Sequence, residues 1–282
     1  MTWLWLTLLS VLFVSIANIL QRVLMKGDKS NPYSYAIIFH FLLGILNFIC
    51  ALFLGSHFSL FSGNIFMLLL ASILWGATVV FLFKALQLVD VSEVTILSTI
   101  RVLVIIAASM IFLHESFGIV KIIGTVIIIV STLLVTDLKK GITFNKGVLY
   151  TLLMALLGGL AIVTDSFNVK QYDPVFYNSI QNFLSGFCIL LFYPKALKQW
   201  QHFVQPTFLK KMLPLGIFST IQAIAYLVAL VTPGVTAQVG TIKQSTVILT
   251  VILAIVFLPE KNNLLRKIIA AVLVTVGVFL LR

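Results

Sequence analysis

The chain alternates ten long apolar stretches with short polar breaks. About twenty apolar residues cross a bilayer core as a helix, since each residue rises roughly 1.5 Å and the helix satisfies its own backbone polar groups. That window predicts spans over 3–24, 33–55, 64–86, 92–113 and 117–137, then over 147–169, 175–194, 211–231, 236–257 and 264–281. The breaks carry Gly27-Asp28-Lys29-Ser30-Asn31-Pro32, Lys139-Lys140-Gly141, Asp173-Pro174, Pro233-Gly234 and Pro259-Glu260-Lys261. Proline fits there because its missing N–H would be unpaired at a helix start or past a helix end. The connections between spans 3 and 4 and between 8 and 9 are short enough to require tight antiparallel hairpins. The predicted fold class is an all-α polytopic membrane protein with ten transmembrane helices.

Composition narrows the class further. Of 282 residues, 61% are hydrophobic and 10% charged, against about 25% charged in a soluble domain. A water-soluble enzyme and a disordered chain are both excluded, and 2 cysteines provide no disulfide framework. The net charge of +11 would suggest nucleic acid in a soluble protein. Here the basic residues lie in short loops, and no basic surface interleaved with aromatics exists to bind a polyanion. Fourteen of them fall on the side of loops 1–2, 3–4, 5–6, 7–8 and 9–10, against three (Lys121, Lys170, Arg282) on the other. Lys and Arg are retained on the cytoplasmic side, so both termini are expected outside the cell membrane. The apolar start from Trp3 to Leu20 reads as the first span rather than a cleavable leader.

The chain also matches itself. A shift of 145 residues lays Met67 on Met212, Phe81 on Tyr226 and Glu115 on Glu260, and a shift of 146 pairs Lys121 with Lys267. A shift of 142 pairs Pro32 with Pro174, Tyr35 with Tyr177, Phe41 with Phe183 and Gly44 with Gly186. These matches predict two five-helix repeats, 1–138 and 146–282. Because five is odd, the second enters the membrane from the opposite side. Inverted repeats build many secondary transporters, with the substrate site near the midplane between them.

Two cations fall inside spans, Arg101 and Lys243. Each costs a few kcal/mol at bilayer depth, so such groups face a partner or a wet cavity. The repeat mates are Ser98 for Lys243 and Thr246 for Arg101, which puts the two charges about one turn apart on equivalent helices. They are candidates to bind a substrate carboxylate or phosphate, Arg as a planar fork and Lys as a point charge. The competing readings are an internal ion pair with Glu93 or Asp165, or snorkelling to an interface. Polar stripes supply further candidate lining: His40 with Gly44 and Asn47; Asn178, Gln181, Asn182 and Ser185; Gln222 and Tyr226; and Thr236, Gly240, Gln244 and Thr250. Singly, each such residue also serves as glue between helices. Trp75 could stack on a solute or simply pack, and Ser72 with Gly76 suggests close helix contact. Asp165 is the one carboxylate deep enough in a span to carry a coupling proton or ion.

The helix-ending glutamates, in Ile111-Phe112-Leu113-His114-Glu115 and Ile255-Val256-Phe257-Leu258-Pro259-Glu260, each precede a last helix with small residues. Together with the opening Leu9-Ser10 to Asn18-Ile19-Leu20-Gln21-Arg22, they resemble EamA-type carriers of the drug/metabolite transporter superfamily over the whole chain. The resemblance implies a basket-like carrier that moves small organic solutes, often exporting amino acids or other metabolites, by alternating access. Two features depart from that pattern. Val102 and Val247 stand near places where many members carry proline, and span 1 has no acid of the kind small multidrug members use.

The expected function is therefore secondary export of a small metabolite, an amino acid or another anionic or zwitterionic solute, with the lipid bilayer as surroundings and no cofactor or metal. Multidrug efflux is the nearest alternative. From another class, a channel would call for a repeated filter or ring of charge, which the sequence lacks, and a non-transporting membrane partner stays open beside it. An intramembrane enzyme lacks a His-Glu-x-x-His helix, an aspartate pair or a Gly-x-Ser-x-Gly turn, and no Gly-x-x-x-x-Gly-Lys-Ser/Thr loop supports ATP-driven pumping.

Overall fold

The structure, a computed structural model, describes residues 2–25, 31–57, 63–101, 103–104, 107, 118–135, 145–169, 171–199, 205–231, 242–243, 245–258 and 264–280. Ten α-helices stand among the described residues. The first five are α1 (Thr2–Met25), α2 (Pro32–Phe53), α3 (Ile65–Leu88), α4 (Val91–Leu97, continued by a tighter turn over Ser98–Ile100) and α5 (Ile119–Val135). The second five are α6 (Lys146–Asn168), α7 (Pro174–Phe192), α8 (Pro206–Val231), α9 (Thr246–Phe257) and α10 (Leu264–Leu280). Six of them (α1, α2, α3, α6, α7 and α8) are long and apolar enough to cross a membrane. The break residues Gly27–Ser30, Lys139–Gly141, Pro233-Gly234 and Pro259–Lys261 lie outside the described residues. So do Val102, His114, Glu115, Lys170, Thr236, Gly240, Gln244 and Arg282.

Helix starts follow the local chemistry that the sequence spells out. Pro32 and Pro174 open α2 and α7, and the preceding Asn31 and Asp173 cap them. Asn31 Oδ1 accepts from the Tyr33 amide at 3.0 Å, and Asp173 Oδ1 from the Val175 and Phe176 amides at 3.1 Å. A cap of this kind satisfies one or two of the orphan N–H groups of the first turn. Asn64 and Asn145 do the same for α3 and α6. One start differs from expectation. Helix α8 begins at Pro206 rather than near 211, so Lys210 and Lys211 lie on the helix instead of in the loop. Between α7 and α8, Pro194–Gln199 forms a short 3-10 turn.

The main helix pairings are symmetric under exchange of each helix with the one five places later. α1 packs on α8 and α6 on α3; α3 packs on α7 and α8 on α2; α1 packs on α9 and α6 on α4. The pairs α2–α7, α5–α10 and α4–α9 map onto themselves. Side chains repeat the exchange in detail at the α2–α7 crossing. A Cβ on Gly44 would stand 2.9 Å from the Phe183 ring, and one on Gly186 would stand 3.2 Å from the Phe41 ring. Each helix thus offers a glycine to the phenylalanine of the other, and the backbones approach closely because both lack a side chain there.

The main core gathers Tyr35, Phe39, Phe83, Phe208, Met212 and Leu215 from α2, α3 and α8. Tyr35 stands 5.0 Å from Phe208 and Phe39 stands 5.7 Å from Phe83, centroid to centroid. On the outside, Trp5, Phe53, Ile119, Leu191, Phe192 and Phe257 are strongly exposed. An apolar exterior this extensive is unfavourable in water and suits acyl chains.

Candidate functional site

Lys243 lies just before α9 and reaches into the seam between α1 and α8. Its Nζ donates to Ser10 Oγ of α1 and, at 2.9 Å, to Gln222 Oε1 of α8. The same ammonium lies 4.3 Å from the centroid of the Tyr226 ring. Gln222 and Tyr226 share a face of α8 because four residues make about one turn. Ser10 Oγ donates in turn to the Gln222 carbonyl at 2.9 Å, so its lone pairs are what it offers the lysine. Further along that seam Asn18 Nδ2 donates to Thr250 Oγ1 at 3.2 Å. Lys243 therefore has hydroxyl, amide and ring partners but no carboxylate among the described residues.

Arg101 occupies the symmetry-related corner, against α6 and α3. Its Nε donates to the Ser98 carbonyl at 3.2 Å, and Nη2 stands 4.0 Å from Met154 Sδ. A Cβ on Gly158 would come within 3.9 Å of the guanidinium carbon and 3.3 Å of Thr78, so the glycine makes room for the charge beside α3. Arg101 likewise has no carboxylate partner among the described residues. Of the two acids weighed as partners, Glu93 stands 3.9 Å from Lys267, and Asp165 is held elsewhere. The repeat mates contribute differently from one another. Ser98 Oγ turns back to the Thr95 carbonyl at 2.8 Å, whereas the buried Thr246 hydroxyl has no hydrogen-bond partner among the described residues.

Asp165, on α6, is gripped by two neutral donors. Trp75 Nε1 of α3 donates to Oδ2 at 2.8 Å, and the Tyr177 hydroxyl of α7 donates to Oδ1 at 2.6 Å. Trp75 is thus a hydrogen-bond donor within the bundle, in addition to any contact its ring makes. Asn168, one turn after Asp165, donates through Nδ2 to the Tyr177 oxygen and to the Met67 carbonyl, both at 3.2 Å.

The α7 stripe knits helices together. His40 Nδ1 and Asn182 Oδ1 are 2.9 Å apart, Asn182 Nδ2 donates to the Asn178 carbonyl at 2.7 Å, and Asn178 Nδ2 donates to Asn47 Oδ1 at 3.2 Å. Gln181 Nε2 donates to Ser185 Oγ, which donates to the Ser72 carbonyl, both at 2.8 Å. Beside that bond, a Cβ on Gly76 would stand 3.2 Å from the Ser185 carbonyl, which is the close contact that Ser72 and Gly76 suggest.

One buried cluster has no counterpart among the sequence-derived candidates. Asp90, between α3 and α4, accepts from Arg22 Nη2 of α1 at 3.2 Å and from Lys267 Nζ of α10 at 2.8 Å. Arg22 Nη1 also donates to the Leu86 carbonyl. The side chains of Arg22 and Lys267 are only 8% and 1% exposed, so they are not loop charges in water. Nearby along the chain, Lys84 Nζ donates to the Tyr33 hydroxyl at 2.7 Å, and Tyr33 stacks on Tyr193 at 4.4 Å. Ser10, Tyr177 and Asn168 were also missed as site residues. Asn168 could have been found from its place three residues after Asp165; Ser10 carries no such signal, because serines in apolar helices commonly bond to their own backbone.

A solved crystal structure matches the fold at a TM-score of 0.64, with 16% identity over 98% of this chain and 94% of that one. No curated protein matches the sequence. The EamA-like transporter family model matches twice, over residues 1–137 and 145–282, one match for each set of five helices. The chain belongs to the EamA-like transporter family, membrane transporters of the drug/metabolite transporter superfamily.

Proposed function

We propose that the chain is a secondary carrier that exports small anionic or zwitterionic organic metabolites by alternating access. Its ten helices form two inverted repeats, 1–138 and 146–282, with both termini outside the plasma membrane, following the basic-residue bias. Helices α1–α4 and α6–α9 line the solute path and rock about it, while α5 and α10 pack at the periphery. The observation that carries this reading is a pair of cations with no carboxylate partner among the described residues. Arg101 and Lys243 stand at symmetry-related corners of an apolar bundle, each against the helix pair equivalent to the other's. An unpaired charge at such depth costs several kcal/mol, and an incoming acid group recovers part of that cost. Gln222, Tyr226, Ser98 and Thr246 flank the two cations, and His40, Trp75, Asn178, Gln181 and Asn182 form the polar wall opposite.

Uptake into proteoliposomes, with amino acids, organic acids and cationic dyes offered in turn, tests the proposal. Lys243→Ala and Arg101→Ala are each expected to lower affinity for the transported acid at least tenfold. A preference for cationic dyes that both variants share with the parent refutes it.

A further inference from the structure

Four helices bring an ammonium and a set of tyrosines together at one end of the bundle. Lys84 stands near the end of α3, Tyr33 at the start of α2, Tyr150 at the start of α6 and Tyr193 just past α7. Lys84 Nζ lies 4.3 Å from the centroid of the Tyr33 ring and 5.4 Å from those of Phe81 and Tyr150. A lysine that merely snorkels extends its ammonium into water; this one is drawn back over the rings and half-buried. It has no carboxylate partner among the described residues, since Asp90, further along the chain, is held by Arg22 and Lys267.

The hydrogen bonds of this cluster leave donors over. Lys84 Nζ donates to the Tyr33 hydroxyl at 2.7 Å, and Asn31 Nδ2 donates to the Tyr193 hydroxyl at 2.9 Å. Both phenol oxygens thus already accept, and each O–H proton is left to donate. No acceptor for either proton stands among the described residues, because Asn31 Oδ1 is spent on capping α2. The two rings stack at 4.4 Å. An ammonium has three N–H donors, and Tyr33 takes one of them. Unspent donors beside a positive charge are the complement of a phosphate, which offers several acceptor oxygens and a negative charge.

The surroundings suit a lipid as the carrier of that phosphate. Leu191 and Phe192, directly before Tyr193, are strongly exposed and fit against acyl chains. Lys146, one turn before Tyr150, is exposed, as are Lys195 and Lys198 on the 3-10 turn after Tyr193. With the orientation proposed above, this end faces the cytoplasmic leaflet, which carries the anionic lipids.

We propose that Lys84, with the Tyr33 and Tyr193 hydroxyls, binds the phosphate of an anionic phospholipid, through residues that neither the Arg101 nor the Lys243 corner uses. The ammonium neutralises the phosphate and the two phenols hold its oxygens. Phosphatidylcholine offers the same phosphate, but its trimethylammonium would meet Lys84 as a like charge. The inference does not depend on what the chain transports.

Detergent-solubilised protein titrated with phosphatidylglycerol or phosphatidylcholine of matched acyl chains, with bound lipid counted by native mass spectrometry, tests this. The parent should bind phosphatidylglycerol about tenfold more tightly, the worth of one bond to a charged group. Lys84→Met should abolish that preference. Tyr33→Phe/Tyr193→Phe keeps both rings and every charge, so a general attraction to anionic lipid would not register it; here the preference should fall severalfold. Glycerol 1-phosphate, added as competitor, separates the two sources of a phosphate group and should displace the lipid only weakly. Equal binding of the two lipids by the parent overturns the proposal, even if no variant folds. So does a double tyrosine variant that keeps the full preference. Displacement by glycerol 1-phosphate at the concentrations at which the lipid binds overturns the lipid as the source and assigns the site to a soluble phosphate.

Discussion

Asp90→Asn isolates the buried charge cluster, because it removes a charge while keeping the shape of the side chain. In the parent, Asp90 compensates Arg22 at 3.2 Å and Lys267 at 2.8 Å, and both cations are nearly inaccessible. At an effective dielectric near 20, each contact is worth about 5 kcal/mol of attraction. Most of that repays desolvation, and Asp90 itself remains 25% exposed, so solvent screens part of it. Glu93, 3.9 Å from Lys267, retains some compensation in the variant. Breaking a buried pair from one side costs about 3–5 kcal/mol, and the lower end applies here. For a chain of this length, 3 kcal/mol corresponds to a fall of roughly 5–8 °C in melting temperature. Thermal unfolding in detergent, followed by size-exclusion chromatography, measures it against the parent at one heating rate. The apolar replacement Arg22→Met/Asp90→Leu/Lys267→Met should recover part of the loss, since both buried cations go with Asp90 and only the partly exposed Glu93 is left without its lysine. A single variant within 1 °C of the parent, or a triple variant no better than the single one, refutes the reasoning.

The other predictions concern the helix crossings and the lysine corner. Gly44→Leu should destabilise the chain by about 1–3 kcal/mol, because its Cβ would stand 2.9 Å from the Phe183 ring; Phe183→Ala in the same chain should recover part of this in the same melting assay. Ser185→Ala removes the bond to the Ser72 carbonyl and should cost about 1 kcal/mol, seen as a small fall in melting temperature. Tyr226→Phe keeps the ring that faces Lys243 and should leave solute affinity near that of the parent. Tyr226→Leu removes the ring and should weaken binding by the roughly 0.5–2 kcal/mol a cation–π contact supplies, measured as the inhibition constant in counterflow.

Much of this architecture is legible in the residues because the signals involved are local. Span length follows from hydropathy, and proline with an Asn or Asp before it marks the starts of α2 and α7. The repeat appears as Phe41 with Phe183 and Gly44 with Gly186, and the folded chain brings these same residues together at the α2–α7 crossing. Other assignments went astray for an equally physical reason. Arg22 and Lys267 look like loop charges that orient the chain, since nothing within a turn of either neutralises it. Their partner is Asp90, 68 and 177 residues away respectively. The α8 start was placed too late because Lys210 and Lys211 interrupt the apolar window, although a long aliphatic stem lets a charged residue stay on a helix near an interface.

By itself the amino-acid order determined the helices, their approximate number, their duplication and the scarcity of charge within them, because each depends on transfer free energies and backbone propensities that neighbouring residues share. Which buried groups meet was decided only by the tertiary structure. Lys243 could as well have neutralised Asp165; instead the chain crossing places Ser10, Gln222 and Tyr226 around the ammonium and Trp75 with Tyr177 around the carboxylate. Hydrogen bonds act over about 3 Å, and only the packing of helices far apart in the chain brings donors and acceptors within that reach.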